Sequence, residues 1–221
     1  MVIKAVSFDL DGTLIDFQFD NVVWKRLLPE VYAKEKLISI KNAKKEVCER
    51  YQILLHHNQW TNLTFWYQEL GLKGKPETLL YQASSKLRWY ADTSVLPILA
   101  KKYPLYIITQ SPKMFVQYKL KGKTRLFKKI YSVTDDFKQL KKDREIYKTI
   151  LQNHACSPNE WLHLGDHYEF DYAIPRQVGI HAIFLDRSKN KKEFSSETTR
   201  ITTLKQLPNA IKRIETSQQQ K

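Results

Sequence analysis

Val2-Ile3-Lys4-Ala5-Val6-Ser7-Phe8-Asp9-Leu10-Asp11-Gly12-Thr13 opens as an apolar, β-branched run and stops abruptly at two carboxylates. A short run of this kind predicts a buried strand of a parallel sheet over Val2–Phe8. Residues two apart on an extended chain face the same way, so Asp9 and Asp11 can reach one site. Gly12 lets the backbone turn sharply just beyond the strand. In parallel α/β sheets ligands gather past the carboxyl ends of the strands, where this pair stands. Two acids there suit a bound cation, with one of them also able to act as a nucleophile. A pair of loop acids capping a helix is the bland alternative.

Working outward, similar runs recur late in the chain at Leu105–Ile108, Trp161–Leu164 and Ala182–Leu185, with a weaker one at Ile130–Val133. Helix-like stretches separate them, and one has Ile146, Tyr147, Ile150 and Leu151 on a shared face behind Asp143 as N-cap. This alternation over residues 95–215 predicts right-handed βαβ units around a doubly wound parallel sheet. Residues 16–91 read as all-helical: Val47, Tyr51, Leu54 and Leu55 recur at helical spacing, as do Leu79, Leu80, Ala83 and Leu87. The first strand would have no sheet without the later segments. The expected organisation is therefore an α/β core of residues 1–15 and 92–221 with a helical insert at 16–91.

Three further constellations follow predicted strands. Thr109-Gln110-Ser111-Pro112 places a hydroxyl and free N–H groups at a helix start, with Ser111 as N-cap and Pro112 as first helical residue, an anion cradle. Lys141, at the start of the next helix, can neutralise a phosphoryl group as a point charge. Gly165-Asp166-His167-Tyr168-Glu169-Phe170-Asp171 again delivers carboxylates to a strand end. Asp166 would complete a cation site begun by Asp9, and Asp171 would orient Lys141 or support the metal. Taken alone, Ser111-Pro112 reads more readily as a plain cap and Lys141 as a surface charge.

Taken together, Phe8–Leu14, Ile107–Ser111, Lys141 with Asp143-Arg144-Glu145-Ile146-Tyr147, and Gly165-Asp166 with Asp171 resemble the four motifs of the haloacid dehalogenase-like superfamily, in its order and spacing. The helical insert occupies the position of that family's first-type cap. The resemblance implies a Mg²⁺-dependent phosphatase acting on a small phosphate monoester, such as phosphoglycolate or a sugar phosphate. It implies Asp9 as nucleophile, forming an aspartyl phosphate, and Asp11 as general acid/base. Thr109, Gln110 and Lys141 would bind phosphate, and Asp9, Asp11 (through its carbonyl) and Asp166 would hold magnesium. The family often has Lys-Pro at the third motif, where this chain has Lys141-Lys142. Lys142 takes the role if the register slips by one, although the alignment of Glu145-Ile146-Tyr147 favours Lys141. Asp11 separates two chemistries. A departing halide needs no proton, whereas a departing alkoxide does, and a positioned acid contributes about 10²–10⁴-fold.

The remaining features bound the reading. A chain of 221 residues with 42% hydrophobic and 27% charged residues suits a globular protein. No apolar run approaches the roughly 20 residues of a membrane span, and no signal peptide is evident. Cys48 and Cys156 lack metal spacing, so a cytoplasmic location is expected. The net charge is +14, and residues 101–151 hold 14 Lys or Arg against 4 Asp or Glu. That stretch admits an electrostatic funnel or a nucleic-acid face, but no aromatic-interleaved motif accompanies it. A solvated surface is the preferred reading. The rivals to a phosphatase are a phosphomutase of the same family and a weakly catalytic protein that uses the basic stretch to bind nucleic acid or a partner.

Overall fold

The computed structural model describes residues 2–55, 57–187 and 198–217. Its centre is a parallel sheet of β1 (Ala5–Phe8), β2 (Leu105–Thr109), β3 (Lys129–Ser132), β4 (Trp161–Gly165), β5 (His181–Leu185) and β6 (Arg200–Ile201), in the order β3-β2-β1-β4-β5-β6. β1 lies between β2 and β4, so the chain's direction of winding reverses beside it. Crevices at such a switch point bind ligands. The short strand β6, pairing Phe184 with Arg200, carries no apolar run that would have marked it in the sequence.

Both faces of the sheet are covered, which is why its strands read as unbroken apolar runs rather than alternating ones. The helices include α6 (Leu96–Ala100), α7 (Lys113–Lys119), α8 (Val133–Asp136), α9 (Arg144–Asn153), α10 (Ile174–Gln177) and α11 (Leu207–Ser217), after five earlier ones. Val6, Ile107, Leu164 and Ile183 face a layer that holds Leu96, Leu99, Leu207 and Ile211. Their strand neighbours Ala5, Tyr106, Ile108 and Trp161 face Ile146, Tyr147, Ile150 and Leu151 of α9. Asp143 caps α9 as expected, its Oδ1 accepting from the Ile146 N–H at 2.9 Å.

Between β1 and β2 run α1 (Gln18–Val22), α2 (Leu28–Lys36), α3 (Ile40–Ile53), α4 (Leu63–Glu69) and α5 (Glu77–Ala83), with Val23–Leu27 forming a π-helical turn. These helices bury their own cluster, including Phe19, Val47, Trp66 and Leu80, which Phe115 of α7 joins from the sheet side. The segment leaves and rejoins the sheet through paired chains: Asp16 N–H donates to Arg88 O and Tyr90 N–H to Leu14 O. Asp92, just past this return, accepts both Arg187 Nη atoms at 3.0 Å, Thr203 Oγ1 at 2.8 Å and Leu204 N–H at 2.9 Å. Arg187 also donates to Thr13 O at 2.6 Å, which braces the loop after β1 against the returning chain.

The basic stretch divides by position. Lys101, Lys102, Lys121, Lys123, Lys128 and Lys129 are exposed near the amino ends of β2 and β3. They sit away from the strand ends that carry Asp9 and Asp166. Among the described residues no helix is long and apolar enough to cross a membrane.

Candidate active site

Asp9, Asp11, Thr109, Gln110, Lys141, Asp166 and Asp171 all line one cavity of about 720 Å³ at the carboxyl ends of the strands. Strand register accounts for the assembly. Phe8 pairs with both Ile107 and Leu164, so the residues following β1, β2 and β4 leave the sheet at one level. Two glycines permit the close approach. A Cβ on Gly12, whose φ is +80°, would sit 2.2 Å from Asp166 Oδ2, and one on Gly165 would sit 2.3 Å from the Asp171 carboxylate.

The lysine that reaches the carboxylates is Lys142, not Lys141. Lys142 is 1% exposed and its Nζ donates to Asp9 Oδ1 and Asp171 Oδ1, each at 2.5 Å. Lys141 is exposed at the cavity wall, its ammonium 5.7 Å from the centre of the Phe170 ring. The pair precedes the extended residue Asp143, where successive side chains point apart, so only one of two adjacent lysines can enter. Asp171 accordingly orients Lys142 rather than Lys141. Thr109 is buried, and its Oγ1 accepts from the Ser111 N–H at 3.0 Å. Gln110 is tied back by a 2.6 Å bond from Nε2 to Leu140 O. Ser111 is not the expected N-cap: α7 starts at Lys113 behind Pro112, and Ser111 Oγ accepts from Lys119 instead.

Oxygen atoms of Asp9, Asp166 and Asp171 lie within 4.8 Å of one another. Burial and the carboxylates of Asp171 and Asp166 push Asp9 well above its ordinary range, against the pull of Lys142. Burial likewise raises Asp166, to about 6, although Thr13 Oγ1 donates to it at 3.0 Å. Burial opposes the charge on Asp171, yet Lys142 and His163 hold this carboxyl well below its ordinary value. Both Asp171 oxygens are engaged, by Lys142 and His163 Nε2 on one side and the His167 N–H on the other. It therefore steadies its neighbours, leaving Asp9 and Asp166 as the better cation ligands. Two buried carboxylates and a half-buried third, with one buried lysine among them, leave excess negative charge, which a divalent cation would relieve.

His163 extends the support beneath the sheet. Ser7 Oγ lies 2.8 Å from its Nδ1 and accepts from Trp161 Nε1 at 2.8 Å. The Ser7 hydroxyl therefore donates to Nδ1, and the imidazole, lowered by burial, donates from Nε2 to Asp171.

Sequence reasoning missed two residues here. Lys119 is fully buried, its Nζ donating to Asp11 Oδ1 and Asp20 Oδ2 at 2.7 Å and to Ser111 Oγ at 2.9 Å. A signal was available: Phe115, Val116, Lys119 and Leu120 share a helical face, so this lysine interrupts an apolar stripe. Asp20 enters from α1, and burial pushes it up to about 7 despite the pull of Lys119. The cavity's far wall is aromatic. Trp24 stacks on Phe115 with centroids 5.3 Å apart and planes 9° from parallel, and Trp60 stacks on the same indole at 6.3 Å.

A family model described as haloacid dehalogenase-like hydrolase matches residues 3–179. The curated GMP/IMP nucleotidase YrfG of Escherichia coli is 33% identical over 70 residues, a segment covering 32% of this chain and 32% of that protein. A HAD phosphatase from Thermococcus onnurineus superposes with a TM-score of 0.77 at 27% identity, over 94% of this chain and 97% of that one. A HAD family enzyme of Bacteroides thetaiotaomicron, solved with magnesium and inorganic phosphate, gives 0.60 at 18% identity over 88% and 97%, a likeness of fold.

Proposed function

Because the chain belongs to the haloacid dehalogenase-like hydrolases, we propose that it hydrolyses phosphate monoesters through a phosphoryl group carried on Asp9. The observation that carries this is the cluster of Asp9, Asp166, Asp171 and Lys142 at the switch point of the sheet. A magnesium ion held by Asp9 and Asp166, with the Asp11 carbonyl, would supply positive charge for the phosphoryl oxygens. The Asp9 carboxylate attacks phosphorus in line while Asp11 gives a proton to the departing alkoxide. Lys142 and the Thr109 hydroxyl hold the equatorial oxygens. Asp11, now a base, takes a proton from the water that cleaves the aspartyl phosphate.

The helices at 16–91 then serve as a cap, admitting substrate and excluding water. A cavity of about 720 Å³ walled by Trp24, Trp60 and Phe115 favours a flat, sizeable leaving group over phosphoglycolate. The nucleotidase named above points the same way. A nucleoside 5′-monophosphate is therefore the substrate class we put first. Both cysteines are free, in keeping with a reducing cytoplasm.

A screen of phosphorylated metabolites with and without Mg²⁺ tests the proposal. It should show magnesium-dependent phosphate release, fastest from nucleoside monophosphates and abolished by Asp9→Asn. Full activity in that variant refutes the nucleophile, and an isomerised product in place of free phosphate makes the protein a mutase.

A further inference from the structure

Lys119 does not itself line the cavity but bonds three residues that do, Asp11, Asp20 and Ser111, and it is one of the most thoroughly engaged cations among the described residues. Its stem runs within α7, and its ammonium is 5.8 Å from the Phe19 ring centre and 5.6 Å from that of Phe115. Those rings meet edge to face at 6.0 Å, one from the helical segment and one from the sheet side. Within this apolar sleeve the ammonium has three acceptors from three parts of the chain: Asp11 in the loop after β1, Asp20 on α1, and Ser111 after β2. A buried lysine without such partners would be strongly destabilising. One carboxylate would suffice to pair the charge, so a second, from the other layer, calls for a role.

We propose that Lys119 is a positioning residue that ties the Asp11 carboxylate to the first helix of the cap through Asp20. This rests on the reading of Asp11 as the proton donor. The clamp sets where Asp11 points according to where α1 stands. When Asp20 is seated, Asp11 is held at a fixed distance from Asp9. If α1 moves away, Lys119 loses one of its two carboxylates and turns wholly to Asp11. The docking of the cap and the aim of the acid are thereby joined by one ammonium. No side chain of the pair needs to contact the substrate's leaving group for this to bear on which esters are cleaved.

The test compares p-nitrophenyl phosphate, whose leaving group departs without a proton, with a nucleoside 5′-monophosphate, whose alkoxide needs one. Lys119→Met should lower kcat for the nucleotide at least tenfold more than for the aryl ester, and Asp20→Asn should shift the ratio in the same direction by less. In an Asp11→Asn background, Lys119→Met should produce no further change in the ratio. Equal losses on both esters, or additivity with Asp11→Asn, overturn the proposal, since a purely structural lysine would act that way. Thermal unfolding supplies a second reading that does not depend on turnover. The destabilisations by Lys119→Met and Asp20→Asn should be less than additive in the double variant, and strict additivity overturns the clamp. Should Lys119→Met fail to fold, the ester ratio of Asp20→Asn decides the matter alone. A wild-type protein that cleaves neither ester refutes the phosphatase reading, and the thermal cycle then judges the clamp by itself.

Discussion

Replacing Lys142 and Lys141 separately by Met puts the site's electrostatics to a quantitative test. Lys142 is 1% exposed and bonded at 2.5 Å to two buried carboxylates. Removing one partner of a buried pair costs about 3–5 kcal/mol, because the remaining charge is left uncompensated. Asp9 is already pushed upward by burial and can take up a proton, so the loss should fall toward the lower end. For a chain of this size about 2–4 °C accompanies each kcal/mol, which places the fall in Tm at roughly 6–12 °C. Loss of one preorganised charge facing the transferring phosphoryl group should lower kcat by about 10²–10³. Lys141 is exposed, and a solvated charge even about 4 Å away contributes only about 1 kcal/mol, or roughly fivefold in rate. Its contact with Phe170 adds about 0.5–1 kcal/mol to stability. Differential scanning fluorimetry and phosphate release measure both variants. A hundredfold loss in Lys141→Met beside a nearly intact Lys142→Met would refute the assignment and the charge balance behind it.

Three other outcomes follow from the geometry. Magnesium at about a hundred times its Kd should stabilise the fold by about 2.7 kcal/mol, and Asp166→Asn should abolish the shift; an unchanged shift would move the cation site elsewhere. Gly12→Ala must displace Asp166 or distort a backbone at φ +80°, so turnover and magnesium affinity should fall at least tenfold together, and wild-type behaviour would mean the loop has room the structure does not show. Asp92 is buried, which works to raise it, but Arg187, the Leu204 N–H and Thr203 hold its carboxyl below the ordinary 3.8. The folded form therefore binds fewer protons than the unfolded one. The stabilisation is complete above pH 3.8 and is lost as pH falls through the lower, folded value. Asp92→Asn should cost about 1.5–3 kcal/mol at neutral pH, with the gap to wild type closing below pH 4 in a Tm series; a gap independent of pH would sink this account.

What could be read beforehand follows from the physics of each element. Strands buried on both faces announce themselves as apolar runs, so β1, β2, β4 and β5 were visible, and carboxylates directly after β1 and β4 could be placed at a shared rim. Asp143 declared α9 because capping is a local interaction. The choice between Lys141 and Lys142 was not local. It depends on how an irregular stretch enters a helix, which a one-residue register cannot reveal. Asp20 and Lys119 stand 99 positions apart, and neither residue type near a helix end specifies a partner in another layer. β6 has two residues and no apolar pattern, so only the neighbouring strand defines it.

The place of β1 in the sheet has a consequence for how the chain is made. Its two neighbours begin at Leu105 and Trp161, so on the ribosome the strand bearing Asp9 waits unpaired through the synthesis of some hundred residues. At about 5–20 residues per second this amounts to several seconds or more. The helices emerging in that interval carry a nearly complete apolar cluster of their own, lacking chiefly Phe115. Nascent chains arrested before and after residue 115 should therefore differ in protease resistance of the helical segment, while resistance of β1 should appear only once Trp161 has cleared the exit tunnel. The strand that leads into Asp9 thus gains its second neighbour only with β4, after β2 and β3 have been made and can pair.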